Sequence, residues 1–377
     1  MPALAFATNF LWVMVIGILG PSLPAMVADL GITYAQAGFF FTLLSLGSLI
    51  GTSLGAISSD SLPRKLLYGT CVLALSVGLF VLGFMPVYAL IALVIFLLSM
   101  MGSPIGAIGQ SIMLGAFPAK RERYLSYMTF FGALGSLVSP VIVALNFTAG
   151  LSWRWTFREV AILAFVVFVV LLAVRIPVAP QGGKREKLLT IVRHRMVVVT
   201  AILIFLSVAA DLGFSYWLAQ YFKSELHVSL RLSSSIVGVY LVGIIAGRLL
   251  VPLVLKRTSP RRNLIGGLAV SLAALVAFII VPWVPAKIAL CALYGLGIGP
   301  VFPLLVAQGT REFPQQAGAV TGVLYACMSF GGMVFPLLVG ALAGRWGIDR
   351  AYIFCAAMVG VLLVVLLRTK EAASPAA

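Results

Sequence analysis

Ser207, Asp211 and Ser215 stand at i, i+4 and i+8 in the run SVAADLGFSYWLAQYF, Ser207 to Phe222. On a helix that spacing sets one carboxylate between two hydroxyls on a single face. The run is otherwise largely apolar and holds no basic residue to neutralise the acid. A charged carboxylate at the centre of a membrane helix costs about 2.5–3.5 kcal/mol on insertion scales, so acids in such places usually face a cavity and serve function. Of the ten acidic residues, Asp211 is the one placed deep in an apolar run; the others fall in loops, near run ends or in the tail. Asp211 is therefore expected to bind a solute hydroxyl and to take up a coupling ion, a proton or a sodium ion. The competing use, a protonated acid bonded to a nearby backbone carbonyl, is structural, and the insertion cost weighs against it.

Further polar groups are dispersed over other apolar runs. Asn9, Gln110 and Gln308 carry amides that both donate and accept, and Trp12, Tyr216, Trp217, Tyr294 and Tyr325 offer faces that suit the apolar side of a sugar ring. The expected solute contacts are Asn9, Trp12, Gln110, Asp211, Ser215, Tyr294 and Tyr325. Packing is the plainer use of any single aromatic, because Trp and Tyr near helix ends often anchor the membrane interface. Arg248 is the one basic residue inside an apolar run. It lies roughly 12 Å along a helix axis from the end marked by Lys256, against roughly 21 Å for Asp211, so a direct pair between the two is not expected. Arg248 either snorkels to the interface or holds backbone carbonyls and closes a gate. A lone cation argues against a strongly anionic solute, and the whole inventory suits a neutral, hydroxyl-rich one. No nucleophile–base set, phosphate loop or metal-ligand group is visible, so no catalytic residue, metal or cofactor is expected, and the chain reads as a non-enzyme.

The elements that must position these groups are membrane helices. Of 377 residues, 62% are hydrophobic and 10% charged, with a mean hydropathy of +1.14. That leaves too little polar cover for a soluble domain. Twelve apolar runs fall near 4–26, 35–57, 66–86, 88–116, 125–146, 157–177, 197–221, 232–255, 263–283, 286–309, 317–343 and 350–368. Each is about the length an α-helix needs to cross the hydrocarbon core, and the alternating segments of a membrane barrel are absent. With the N-terminus inside, eighteen of the 26 Lys and Arg fall on the inner side and seven on the outer. That bias places both termini in the cytoplasm of a multi-pass protein of the cell (inner) membrane. It also explains the net charge of +16 as topology and attraction to anionic membrane lipids, with no nucleic-acid partner expected. Cys71, Cys291, Cys327 and Cys355 lie within apolar runs without a CxxC pair and read as small core residues. The first run has no basic flank, unlike a signal peptide, and loss of a short leader would leave the same pattern. Asn146-Phe-Thr is a formal glycosylation sequon. A monomer is expected.

Sliding the chain by 196 residues aligns Gly47 and Gly51 with Gly243 and Gly247, Pro104 with Pro300, Phe117-Pro118 with Phe313-Pro314, Gly135 with Gly331, Pro140 with Pro336 and Arg154 with Arg350. A shared offset over more than a hundred residues marks a duplicated six-helix unit. The fold class is therefore an all-α membrane protein whose twelve helices form two pseudo-symmetric bundles. The expected division is residues 1–177, a cytoplasmic linker at 178–196 rich in Pro, Gly and basic residues, and residues 197–377. In each half, small residues and a proline (Pro140, Pro336) let helices approach closely and bend.

GAISSDSLPRK, Gly55 to Lys65, has the spacing Gly, four residues, Asp, three residues, Arg, Lys, and LKRTSPRR, Leu255 to Arg262, is its degenerate copy. With SWRWTF, Ser152 to Phe157, these resemble the loops of the major facilitator superfamily over essentially the whole chain. The resemblance implies a secondary active transporter working by alternating access, with spans one, four, seven and ten around a central cavity. It also implies a gating latch at Asp60, Arg64 and Lys65; Arg248, from its place in the span, is expected as a further gate. The patterns GIGPVFPLL, GRLL and AADLGFSYWLAQYF are similar to the fucose–galactose–glucose:proton symporter group, which implies a sugar or similar solute and proton coupling. This chain departs from that group in having no acid inside its first six spans, with Asn9 and Gln110 at comparable depths. The alternative is an efflux antiporter for drugs or amphiphilic, lipid-like compounds, which the many Phe and Met residues would suit.

Overall fold

A computed structural model describes residues 1–58, 63–117, 121–174, 176, 194–255, 258–311, 313 and 317–368. Asp60 and the linker residues 177–193 lie outside the described residues. In chain order the helices are α1 (Pro2–Leu30), α2 (Tyr34–Ser58), α3 (Arg64–Leu82), α4 (Tyr88–Gly102), α5 (Pro104–Ala116), α6 (Arg121–Thr148) and α7 (Trp153–Ala173). They continue as α8 (Arg195–Ser215), α9 (Leu218–Ser224), α10 (Leu230–Leu255), α11 (Pro260–Ile280), α12 (Val284–Ile298), α13 (Val301–Arg311), α14 (Ala317–Trp346) and α15 (Ile348–Arg368). Twelve spans among the described residues are long and apolar enough to cross a membrane. The chain is an all-helical, multi-pass membrane protein.

Three spans are broken. The fourth (Tyr88–Met113), seventh (Arg195–Ser224) and tenth (Val284–Arg311) each consist of two helices, parted at Ser103, at Tyr216-Trp217 and at Gly299-Pro300. Pro104 and Pro300 account for two of the breaks, because a proline removes a ladder donor and clashes with the preceding turn. The seventh span turns without proline, at Tyr216 and the buried Trp217.

The chain packs as two compact units, Met1–Lys184 with Tyr216–Gly238, and Arg185–Ser215 with Val239–Ala377. In the first, α1 lies on α6, α2 on α4 and α3 on α7. The segment Tyr216–Gly238 joins this unit through Tyr216, stacked on Phe41 at 4.1 Å, and Trp217, edge-on to Tyr34 at 5.6 Å. Ser234 Oγ donates to the Pro21 carbonyl at 2.8 Å. In the second unit α8 packs on α14 and α15, and α11 on α12 and α15.

The 196-residue offset reappears as contacts inside each unit. A methyl group at Gly47 or Gly51 would collide with the carbonyls of Phe96 and Met100, and one at Gly243 or Gly247 with those of Ala292 and Leu296. All four glycine–carbonyl pairs are related by the same offset, so backbone-to-backbone approach is the reason these positions carry no side chain. Lys65 Nζ donates to the Leu172 carbonyl at 2.7 Å, and Arg261, its equivalent, donates from Nη2 to the Leu366 carbonyl at 3.0 Å. Each basic residue thus caps the C-terminus of the last helix of its own half, where the helix dipole favours a cation.

Where α1 ends and α7 begins, Asp29 pairs with Arg154 and accepts from Trp153 Nε1 at 3.1 Å. Arg158 donates to the Gly83 carbonyl at 2.7 and 3.0 Å and lies over the Phe84 ring. The sequon residue Asn146 is buried inside α6, its amide donating to Thr156 Oγ1 at 3.0 Å and to Glu159 Oε2 at 2.8 Å. Its nitrogen is a structural bridge, not an accessible acceptor for a glycan. All four cysteines are free, three of them buried.

Candidate functional site

The groups with the most chemical potential gather in the second unit around Asp211. Asp211 is half-buried on α8, one turn before the helix ends at Ser215. Its Oδ1 accepts a hydrogen bond from the hydroxyl of Tyr240 on α10. Tyr240 is 2% exposed, and its ring stacks with Tyr294 at 6.1 Å. Phe214, one turn beyond Asp211, is fully buried and contacts Tyr240, Tyr294, Phe278 and Tyr352. The acid therefore has one polar neighbour with fixed geometry and an aromatic floor. Gly295 on α12 comes against the Tyr240 carbonyl, which lets α10 bring that tyrosine in.

Arg248, two turns along α10 from Tyr240, acts electrostatically on both Asp211 and Tyr240. It is exposed, and its Nε donates to the Gly299 carbonyl at 3.0 Å. The helical donor for that carbonyl would be the amide of residue 303, which is a proline. The break in the tenth span leaves an acceptor, and Arg248 satisfies it. Arg248 also acts on Tyr325, which is 47% exposed and edge-on to Phe302 at 5.4 Å.

The structure brings Asp211, Tyr294, Arg248 and Tyr325 into one neighbourhood. Ser215 is half-buried at the end of α8, and Ser207 is buried and donates to its own helix at the Ile204 carbonyl. The remaining expected solute contacts belong to the first unit. There Asn9 Nδ2 donates to the Met128 carbonyl at 2.7 Å, tying α1 to α6. Trp12 is 7% exposed and packs on Gly102 at the break in the fourth span. Gln110 is exposed. Of the expected latch, Lys65 is engaged as a helix cap, Arg64 is half-buried, and Asp60 lies outside the described residues. The residue that sequence reading passed over is Tyr240, because nothing in the spacing of a separate span marks it as the partner of Asp211.

Twelve apolar spans among the described residues, three of them broken, with an acid–tyrosine pair inside the second unit, are features of a polytopic membrane protein, and the family match makes it a transporter of the secondary kind, not an enzyme. The sequence matches the family model described as Major Facilitator Superfamily over residues 5–336. The chain belongs to the Major Facilitator Superfamily. A protein described as a TsgA homolog from Erwinia tasmaniensis is 21% identical, over 94% of this chain and 90% of its own length. The enterobactin exporter EntS of Salmonella choleraesuis is 26% identical over 52% of this chain and 49% of its own. Among solved structures, a mutant of the nucleoside transporter NupG is similar with a TM-score of 0.83 at 16% identity, covering 97% of this chain and 98% of the other. A bacterial homolog of the human lysosomal transporter Spinster is similar with a TM-score of 0.78 at 14% identity, covering 96% and 95%. At these identities the solved structures speak for the fold alone.

Proposed function

We propose that this protein moves a small polar solute, a sugar or similar metabolite, across the cell (inner) membrane by alternating access, driven by protons that Asp211 takes up and releases. The observation that carries the reading is the Asp211–Tyr240 hydrogen bond inside the membrane spans. An acid there costs insertion energy, and the single donor on its Oδ1 leaves its second oxygen available to a proton or a solute hydroxyl. The half-buried Gln308 on α13 and the exposed Tyr325 add an amide and an aromatic edge in the same unit, and the exposed Gln110 adds an amide in the first unit. We further propose that the protein acts as a monomer and that both termini lie in the cytoplasm, the latter supported by the excess of Lys and Arg in the loops on that side. Likeness of about half the chain to EntS, described as an exporter, supports a second reading, proton-driven efflux of an amphiphilic compound.

The test is a panel of labelled sugars, nucleosides and amphiphiles in vesicles carrying the reconstituted protein, with pH and sodium gradients imposed in either direction. A pH gradient should drive accumulation of a polar solute, and Asp211→Asn should abolish accumulation while solute exchange persists. If Asp211→Asn accumulates solute like the wild type under both gradients, the coupling role assigned to Asp211 fails.

A further inference from the structure

We infer that Arg248 seats a singly charged oxygen anion carried by the solute, a carboxylate above all, and that this seating is balanced by a proton on Asp211. The inference rests on the proposed transporter reading and sharpens it from a polar solute to one bearing a single acidic group.

Arg248 lies inside a membrane span, where an arginine is expensive and is normally paired with an acid or with backbone carbonyls. Its guanidinium has one such contact, Nε to the Gly299 carbonyl at 3.0 Å, which fixes the plane of the fork and leaves both η nitrogens for another acceptor. Among the described residues no carboxylate lies within ion-pair distance of it; the ion pair they contain is Arg154–Asp29. Asp211 is in electrostatic reach but spends an oxygen on Tyr240. The side chain is exposed although the helix is apolar. The most exposed positions of α10 are Leu249 and Leu253, with Val242 on the same stripe, and at 100° per residue Arg248 stands roughly a third of a turn from that stripe. Arg248 therefore stands off the most exposed apolar stripe of its helix, with its guanidinium accessible.

Charge balance then couples the two ligands. With Asp211 ionised and no anion bound, the pair is neutral. With Asp211 protonated and an anion on Arg248, it is neutral again. The two mixed states leave a net charge in an apolar span, which the low dielectric penalises. Anion and proton therefore load together, one of each, and each raises the affinity for the other by the same factor. Among the described residues, the other groups facing the pair are Tyr240 and Tyr294 around Asp211, Tyr325 beside Arg248, and Cys355, whose sulfur lies against Gly213. None of them is a second acid that could take the proton in its place. The Tyr294 hydroxyl is buried with no hydrogen-bond partner among the described residues, so that side of the site has a spare donor.

The experiment measures equilibrium binding to the full-length protein in phosphatidylcholine nanodiscs, with and without phosphatidylglycerol. The probes are glucuronate, gluconate and lactate, set against the uncharged glucose and lactamide. The wild type should bind at least one of the monocarboxylates, with an affinity that rises up to tenfold for each unit fall in pH. Binding should be at least about tenfold weaker in Arg248→Gln. Asp211→Asn, which imitates the protonated acid, should bind the same anion without the pH slope. Arg248→Lys keeps the charge without the fork and should fall between, which separates loss of the seat from loss of folding. The inference is overturned if no monocarboxylate binds the wild type, if Arg248→Gln binds as well as the wild type, or if glucose binds as tightly as glucuronate. It is equally overturned if phosphatidylglycerol abolishes the response, which would give the seat to a lipid headgroup. Failure of the transporter reading shows elsewhere, as an absence of gradient-driven accumulation, and does not alter these binding curves.

Discussion

Replacing Tyr240 by Phe isolates one hydroxyl. The ring is 2% exposed and held by Phe214 at 5.9 Å and Tyr294 at 6.1 Å. Phenylalanine fills the same space, and the only interaction removed is the donation to Asp211 Oδ1. A hydrogen bond to a charged group is worth about 1.5–3 kcal/mol. The protonated acid can turn its own hydroxyl to another acceptor, so the loss falls mainly on the carboxylate form. Reaching that form is the proton-release half of the cycle, and at 1.36 kcal/mol per factor of ten the penalty slows it by about ten- to 150-fold. Solute exchange at a fixed state of protonation does not pass through the carboxylate and should change by no more than about twofold. The assay compares pH-driven accumulation with equilibrium exchange in the same vesicles, using whichever panel solute the wild type carries. Equal accumulation by Tyr240→Phe and wild type would show that this bond has no part in proton release. Equal loss of both activities would show that the hydroxyl holds the site's shape and not its charge.

Lys65→Met and Arg261→Met should each cost about 0.3–1 kcal/mol through a lost helix cap and leave transport near wild type; slowed transport at an unchanged melting temperature would make Lys65 a gate after all. Gly51→Val and Gly247→Val should be destabilising to a similar degree, about 1–3 kcal/mol or more, because each drives a side chain into a backbone carbonyl of the neighbouring helix, and a melting temperature within a degree of wild type for either would refute the packing equivalence. Expression in a glycosylating host should give no mass increase attributable to Asn146, whose amide is committed to Thr156 and Glu159.

Individual residues show how far the sequence reaches. The three breaks are unequal in this respect. Pro104 and Pro300 announce theirs, while the turn at Tyr216-Trp217 has no proline and is held by Phe41 and Tyr34, more than 170 residues away in the chain. Polarity ranks Asn9 and Trp12 beside Asp211 as solute contacts, yet one bridges α1 to α6 and the other packs on Gly102. Polarity alone cannot separate an amide that greets a solute from one that satisfies a backbone carbonyl. Lys65 reads as a charge in a basic loop, and its use as a cap appears only when α3 and α7 lie side by side. The partner of Arg248 was within reach, because Pro303 deprives the Gly299 carbonyl of its helical donor.

The sequence by itself determined the number of spans and their helical form, and it carried the 196-residue offset. Lipid leaves a spanning segment no way to satisfy its backbone except along itself, so length and hydropathy suffice to read it. The 196-residue offset survives because each glycine is demanded by a carbonyl in its own half. Tertiary structure alone decided which polar groups meet. Spacing along one helix places a residue on a face, but the neighbour that face receives depends on how separate helices are rotated and how closely their backbones approach. Asp211 meets Tyr240 because Gly243 and Gly295 let α10 and α12 come together at backbone distance beside α8, a condition spread over three helices and written in no single stretch of the chain.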